Sequence, residues 1–347
     1  MIRVAVLGGG IGAQHLDAYQ ALDGFEVALL VDQDADRRAA FEANGVETAA
    51  QVEAALAADV DVIDICLPPD MHAPVAVAAL QAGKHVICEK PLATSMDQVD
   101  DIRTAAAAAG RQVFPVFQYR YGPAFDRLSA LRAQGLTGAP IAAALETHWN
   151  RGTDYYAVPW RGTWAGERGG AVLGHAIHAH DLLGHFMAPV TGVSAHLGTC
   201  VNQIETDDTA AMVFALAGGA MATSSVTLGH ARDETRLRFV YERLTATSDT
   251  IPYAPGEGDW SFVARDPADQ DAVDKVVAGT CIGPSGFRGF LTEVGKALRG
   301  APNRAVTLED GAASIALVTA IYAAHRNRRN TDLPLPPDHP MRKGWQP

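Results

Sequence analysis

The stretch Ile2-Arg3-Val4-Ala5-Val6-Leu7-Gly8-Gly9-Gly10-Ile11-Gly12-Ala13 opens the chain with an apolar run, a glycine-rich turn and the first residues of a helix-like segment. Gly8, Gly10 and Ala13 satisfy G-x-G-x-x-G/A directly after a strand and at the mouth of a helix. Glycines allow the tight turn and let the backbone approach a pyrophosphate, which then meets unpaired N–H groups and the positive end of the helix. Backbone contacts are therefore expected from Gly8, Gly10, Ile11, Gly12 and Ala13. Asp32 ends the next apolar run about 20 residues on, where a carboxylate accepts hydrogen bonds from an adenosine 2′-hydroxyl and repels a 2′-phosphate. NAD is expected ahead of NADP. Arg37 and Arg38 stand close by, either as a solvated helix face or as groups able to tolerate a phosphate.

Working outward, apolar runs at Val4 to Leu7, Val27 to Val31, Val60 to Leu67, Val86 to Cys88 and Val113 to Phe117 read as strands buried on both faces, because parallel strands lose polar alternation. Between them, Ile11 to Leu22, Ala35 to Asn44, Ala50 to Ala58, Pro74 to Ala82 and Met96 to Ala109 read as helices. Strand and helix in alternation predict an α/β fold with a doubly wound parallel sheet, the Rossmann arrangement. The second half changes character. Ile141 to Trp149 reads as a strand, Ala210 to Leu228 as two strands around Gly218-Gly219, and Glu234 to Thr247 alternates apolar and polar residues. A last helix starts at Thr307, spaced from Asp310 like a capping box. The tail Leu333-Pro334-Leu335-Pro336-Pro337 reads as an extended arm.

Composition sets outer limits. The chain has 347 residues, 48% hydrophobic and 20% charged, enough for two domains of an ordinary globular protein. A net charge of −12 disfavours nucleic acid or an anionic membrane as the main partner. Cys66, Cys88, Cys200 and Cys281 form no C-x-x-C pair, which argues against a zinc knuckle or a disulfide framework and for a reducing compartment. Without a basic segment leading into a long apolar core, the protein is expected to be soluble, unprocessed and cytoplasmic.

Two motifs lie at the ends of the later strands of the first half: Cys66-Leu67-Pro68-Pro69-Asp70-Met71-His72 and Glu89-Lys90-Pro91. Further on come Gln118-Tyr119-Arg120-Tyr121, Gly169-Gly170-Ala171-Val172-Leu173, Ile177-His178-Ala179-His180-Asp181 and the final Gly344-Trp345. With these, essentially the whole chain resembles the Gfo/Idh/MocA oxidoreductases. The resemblance implies a Rossmann domain followed by an α/β domain with a large, mostly antiparallel open sheet, placed here at 1–121 and 122–347. It implies NAD- or NADP-dependent oxidation or reduction of a hydroxyl carbon in a sugar, cyclitol or related polyol. It also implies that Leu67, Pro68, His72, Glu89 and Lys90 line the cofactor, and that Lys90 contacts the reacting hydroxyl or relays its proton.

Oxidising an alcohol needs a base for the hydroxyl proton, and histidine titrates near working pH. In the resemblance the histidine of H-x-x-D, His178, is that base. Asp181, three residues on, would bind a substrate hydroxyl or orient the imidazole. Two departures stand out. Many such proteins carry an aspartate four residues before the histidine, where this chain has Gly174 followed by His175, so His178 would be oriented by Asp181 or a backbone carbonyl, or the relay would run through His175. In the glycine loop His15 comes one residue early and reads as a packing or capping residue. The cluster His175, His178, His180 and Asp181 invites a metal, but His180 points away from the rest and no H-E-x-x-H spacing is present, so none is expected.

Arg120, Asn150, Arg151, Tyr155, Tyr156, Trp160 and Arg161 fall in segments that border the substrate in similar enzymes. Arginine forks bind carboxylates and aromatic faces stack on sugars, so a sugar acid or a neutral sugar is expected. The leading expectation is an NAD-dependent dehydrogenase of a sugar, cyclitol or sugar acid, assembled as a homodimer or homotetramer through the open sheet. The alternatives are an NAD-cycling isomerase, epimerase or lyase, and a non-enzymatic NAD-sensing regulator.

Overall fold

Helix and strand divide the chain into two compact units, and the structure, a computed structural model, describes residues 1–347. Unit one comprises Met1–Phe117 and Phe287–Ile315; unit two comprises Gln118–Gly286 and Ala316–Pro347. The first unit is thus discontinuous, which a division at 121/122 does not anticipate. The reason lies in packing within that unit. Phe287 sets its ring 4.5 Å from that of His15, a Cβ at Gly295 would lie 3.0 Å from the Phe25 ring, and Arg103 pairs with Glu309 at 2.9 Å.

The first unit carries six parallel strands, β1 (Ile2–Leu7), β2 (Phe25–Val31), β3 (Thr48–Ala49), β4 (Val62–Ile65), β5 (His85–Cys88) and β6 (Val113–Pro115), in the order β3-β2-β1-β4-β5-β6. The order reverses between β1 and β4, the switch point at which doubly wound sheets bind ligands. Val4, Val6, Ile63, Ile65, Val86 and Ile87 have no exposed surface, as expected for strands covered on both faces. The helix over Met96–Ala109 has the expected bounds, because Ser95 caps Gln98 N–H at 3.1 Å and Gly110 at φ 61° ends it. The helix expected to begin at Pro74 begins at Pro69 and holds Pro74 in its interior. Proline favours a first helical turn, and Pro69 rather than Pro74 takes that place.

The second unit holds an eight-stranded mixed sheet: β7 (Pro140–Asn150), β8 (Val190–Gly198), β9 (Thr209–Leu216), β10 (Met221–Thr227), β11 (Gly229–Tyr241), β12 (Leu244–Ser248), β13 (Trp260–Ala264) and β14 (Thr331–Asp332), ordered β13-β12-β11-β7-β10-β9-β8-β14. All pairings are antiparallel except β7 with β10. On β9 the even-numbered Ala210, Met212, Phe214 and Leu216 are buried while Ala211, Val213 and Ala215 are exposed, so only one face of the sheet joins the core. The final helix, Leu308–Asn327, begins at its expected cap: the Thr307 N–H donates to Asp310 Oδ2 at 2.7 Å. The chain passes from unit one to unit two within this helix.

Candidate active site

In the first unit, the glycine loop is built from the back outward. Gly8 has φ +93°, and a side chain there would strike the Cys66 carbonyl; at Gly12 a Cβ would lie 2.9 Å from Val6 Cγ1. Gly10 has nothing within 4 Å of the direction a side chain would take, so the outer side is open to a bound group. No side chain caps the N-terminus of helix Gly12–Gln20. A packed rear, a clear front and an uncapped helix end fit a dinucleotide pyrophosphate at Gly8, Gly10, Ile11, Gly12 and Ala13.

Asp32 follows the end of β2 and is buried. Its carboxylate accepts the Gly9 N–H at 2.7 Å, the Asp34 N–H at 2.8 Å and Arg37 Nη1 at 2.7 Å. Burial alone would raise its pKa, but the two backbone donors and the guanidinium outweigh that and hold it below the usual carboxylate range. Arg38 donates to the Asp32 carbonyl at 2.8 Å, so both arginines turn toward Asp32. The Asp32 carboxylate thus also anchors the glycine loop through the Gly9 N–H.

His72, from helix Pro69–Gln81, sets Nδ1 2.6 Å from the Pro91 carbonyl and Nε2 2.7 Å from that of Leu67. Burial lowers its pKa, so the neutral ring donates to one carbonyl at a time while linking the turns after β4 and β5. Glu89 directly follows β5 and its side chain accepts the Lys90 N–H at 3.0 Å. Pro68 precedes the first helical residue without a side-chain cap.

Beneath these turns lies a network that sequence reading left out. His15 is wholly buried, with Nδ1 2.8 Å from Asp64 and Nε2 3.2 Å from Glu89, and Tyr19 donates to Asp64 at 2.9 Å. Cys66 Sγ stands 3.6 Å from both His15 and Asp64. The signal was present: Asp64 interrupts the apolar strand Val62-Ile63-Asp64-Ile65, and a carboxylate on a doubly covered strand needs buried partners. Ligand-type atoms of His15, Asp64 and Cys66 lie within 4.8 Å of one another. The 2.8 Å His15–Asp64 separation is a hydrogen bond; two donors on tetrahedral zinc, at bonds of ~2.0 Å, would stand about 3.3 Å apart. Burial and Asp64 push the Cys66 thiol up to about 12, which keeps it neutral.

In the second unit, the histidines sit where a π-helical turn, Val172–Ala176, runs into helix Ile177–Phe186. Such a turn shifts the facing of residues on either side and recurs at functional sites. His178 stacks on Tyr119 with ring centroids 4.2 Å apart. Arg120 grips Asp181 through Nε at 2.7 Å and Nη2 at 2.6 Å, both side chains being buried. These two residues, expected separately at substrate, are brought together as a bidentate ion pair. His180 turns to Ser224 on β10 at 3.0 Å, and burial lowers its pKa to about 4, so it is neutral. His175 lies edge-on to Trp149 at 5.3 Å and tilted to Tyr155 at 5.7 Å. The side chain missing at Gly174 would point to Glu167 Oε1, 3.6 Å from the Cβ position. Glu167, not singled out from sequence, is buried and accepts the Gly162 N–H at 2.6 Å.

Two arginines share the Tyr155 ring. Arg151 lies 5.4 Å from its centroid but is neutralised by Asp233 at 2.8 Å and bonded to the Tyr253 hydroxyl. Arg161 lies 4.0 Å from the same centroid and 5.3 Å from that of Trp160. Its Nη1 reaches only the Tyr155 carbonyl at 3.3 Å, and its buried Nε meets no acceptor. Tyr156 packs against Tyr155 at 5.0 Å, and burial with the Glu167 charge raises its pKa. Asn150 closes β7, its N–H donated to Asp233 at 2.6 Å.

Comparison with known proteins agrees with both halves. Residues 2–117 match the oxidoreductase family model with an NAD-binding Rossmann fold, and 125–247 match the GFO/IDH/MocA C-terminal domain. Inositol 2-dehydrogenase 3 of Saccharopolyspora erythraea is 36% identical over 148 residues, 41% of this chain and 44% of that protein. Levoglucosan dehydrogenase of Pseudarthrobacter phenanthrenivorans is 28% identical over 223 residues, 58% of this chain and 55% of that one. The alignments thus span about half the length of these curated relatives. The WlbA dehydrogenase of Bordetella pertussis, solved with NADH and UDP-GlcNAcA, superposes with a TM-score of 0.85 at 28% identity, covering 96% of this chain and 98% of that one. With glycine loop, Asp32 and both family models in register, the chain belongs to the Gfo/Idh/MocA oxidoreductase family and has its NAD-binding Rossmann fold.

Proposed function

We propose that this protein is an NAD-dependent dehydrogenase oxidising a secondary hydroxyl of a sugar, cyclitol or sugar acid, with Lys90 and His178 handling the proton. The observation that carries the reading is the station of Lys90, directly beyond the carboxyl end of β5 in the sheet whose glycine loop fits the dinucleotide, with its backbone N–H fixed by Glu89. Bound NAD would supply the hydride acceptor. The Lys90 ammonium would stabilise negative charge developing on the substrate oxygen, a large effect where water is excluded. His178, held by its stack on Tyr119, would take the proton. Asp181, fixed by Arg120, would add a carboxylate to that helix face.

Arg161 favours the sugar-acid branch. A guanidinium without a carboxylate partner, lying on an aromatic ring, suits a ligand oxyanion. The experiment is NAD reduction followed at 340 nm over matched pairs of neutral sugars, cyclitols and the corresponding acids. An acid should be the better substrate, and Arg161→Ala should lower kcat/KM for it by about ten-fold or more while leaving the neutral partner nearly unchanged. Equal loss on both would remove the carboxylate assignment; no NADH from any compound would remove the dehydrogenase reading.

The bare face of the second sheet supports the further proposal of a homo-oligomer. Val213, Met221 and Val263 are each more than half exposed there, and apolar surface on a sheet face marks association. Light scattering should give two or four times the chain mass, and Val213→Lys should reduce it. A monomer at micromolar concentration would rule the proposal out.

A further inference from the structure

We propose that His15 is a positioning residue for Lys90, acting through Glu89. The inference rests on the proposed role of Lys90. The imidazole bridges two strands, meeting Asp64 on β4 through Nδ1 at 2.8 Å and Glu89, just beyond β5, through Nε2 at 3.2 Å. Glu89 uses its other oxygen to hold the Lys90 backbone N–H at 3.0 Å. His15 itself belongs to helix Gly12–Gln20, whose first turn ends the glycine loop. A continuous chain of hydrogen bonds therefore runs from the phosphate-binding helix to the lysine, and Tyr19 on the same helix closes it by donating to Asp64 at 2.9 Å.

Charge gives the chain its direction. Two buried carboxylates side by side need a cation between them. Burial acts to lower the His15 pKa, yet the Asp64 carboxylate, through its charge and its 2.8 Å hydrogen bond, prevails and raises it well above the usual histidine value, which favours the imidazolium. Burial acts to raise that of Glu89, yet His15 and Lys90 hold it low. Within this unit the titratable groups around the pair are Asp64 and Cys66 from β4 and its end, Cys88 on β5, Tyr19 from helix Gly12–Gln20 and His72 from helix Pro69–Gln81. Phe287 covers the imidazole face. His15, Tyr19, Asp64, Cys66 and Glu89 are each buried and hydrogen-bonded to another of the five, whereas a role in packing alone would be met by apolar side chains at lower cost.

The test reads Lys90 directly and needs no substrate. Competitive acetylation by acetic anhydride across pH, quantified by peptide mass spectrometry, gives the titration midpoint of Lys90 in the intact protein, His15→Gln and Glu89→Gln. Removing the carboxylate takes away an anion that favours the ammonium, so in Glu89→Gln the midpoint should fall by about one unit. Removing the imidazolium leaves Glu89 uncompensated beside Lys90, so in His15→Gln it should rise by about half a unit. Opposite shifts distinguish coupling from loss of packing, which would lower the melting temperature of both variants and move the midpoint the same way or not at all. On any substrate from the panel, His15→Gln should also lower kcat by about ten- to a hundred-fold with the NADH dissociation constant little changed. Shifts of the same sign, unmoved midpoints, or one removable metal ion per chain would overturn the proposal. Lys90→Ala separates the two readings: if it keeps full kcat, the role of Lys90 fails, whereas if it is inactive and the midpoints do not move, only the role of His15 fails.

Discussion

Lys90→Ala is expected to lower kcat by about a hundred- to a thousand-fold, with kcat/KM falling in proportion and the NADH dissociation constant changing no more than a few-fold. Preorganised positive charge counts most where negative charge develops in the transition state, so its removal is felt in turnover rather than in cofactor binding. The proposed cofactor determinants are separate: the glycine loop and Asp32 depend on bonds among Gly9, Asp34 and Arg37. Lys90→Arg is not expected to rescue, because a planar fork cannot replace a compact ammonium on the same stem. Stopped-flow turnover on an oxidised panel compound, with NADH fluorescence titration beside it, makes the comparison. Full kcat in Lys90→Ala would end the proposed mechanism, and a large rise in the NADH dissociation constant would make Lys90 a cofactor ligand instead.

The largest stability effect is expected at the far end of the chain. Trp345 has no exposed surface, stacks on Tyr322 with centroids 5.8 Å apart and donates Nε1–H to the Arg168 carbonyl at 2.7 Å. Tyr322 in turn donates to Asp207 at 2.5 Å, and Asp207 accepts the Gly170 and Val172 N–H groups at 3.1 and 3.0 Å. Trp345→Ala should therefore cost about 4 kcal/mol, from the lost transfer energy and the cavity left behind. Trp345→Phe should cost roughly 1–2 kcal/mol, since it keeps most of the ring and loses the hydrogen bond. Because Arg168 has a left-handed backbone, φ 65°, and directly follows Glu167, the alanine variant should also loosen the segment that leads into the π-helical turn. Urea unfolding measures the first effect, and hydrogen exchange over 162–176 the second. A loss below 1 kcal/mol would show that the tail is an ornament rather than a strut.

Much of the fold is decided by local rules. The glycine turn after an apolar run, the strand character of β1, β2 and β5, the Ser95 and Gly110 ends of one helix and the Thr307–Asp310 cap all arise from neighbours in the chain, and neighbours are visible in sequence. The run 234–247 was harder. Its alternation continues through what the structure divides into β11 and β12, because Glu242 and Arg243 turn the chain without a glycine or proline to announce it. The return of 287–315 to the first unit depends on Phe287 and Gly295 meeting His15 and Phe25 some 270 residues earlier, and no local pattern encodes such a meeting.

The candidate site divides the same way. Position and chemistry marked Asp32 at a strand end and Lys90 beyond one, and His178 was marked by its imidazole together with the H-x-x-D motif of the family it resembles. Partnership was a matter of folding. Whether Arg120 would face a ligand or Asp181, whether His15 would fill space or join two carboxylates, and which of Arg151 and Arg161 would keep an unmatched charge were decided by strands and helices arriving from elsewhere. The amino-acid order by itself determined the alternation of elements, the dinucleotide turn and the kinds of reactive group, since these follow from dihedral preference, periodicity and side-chain chemistry. Only the tertiary structure decided which charges neutralise one another, because the pairing of buried charges depends on distances of a few ångströms between segments that the sequence keeps far apart.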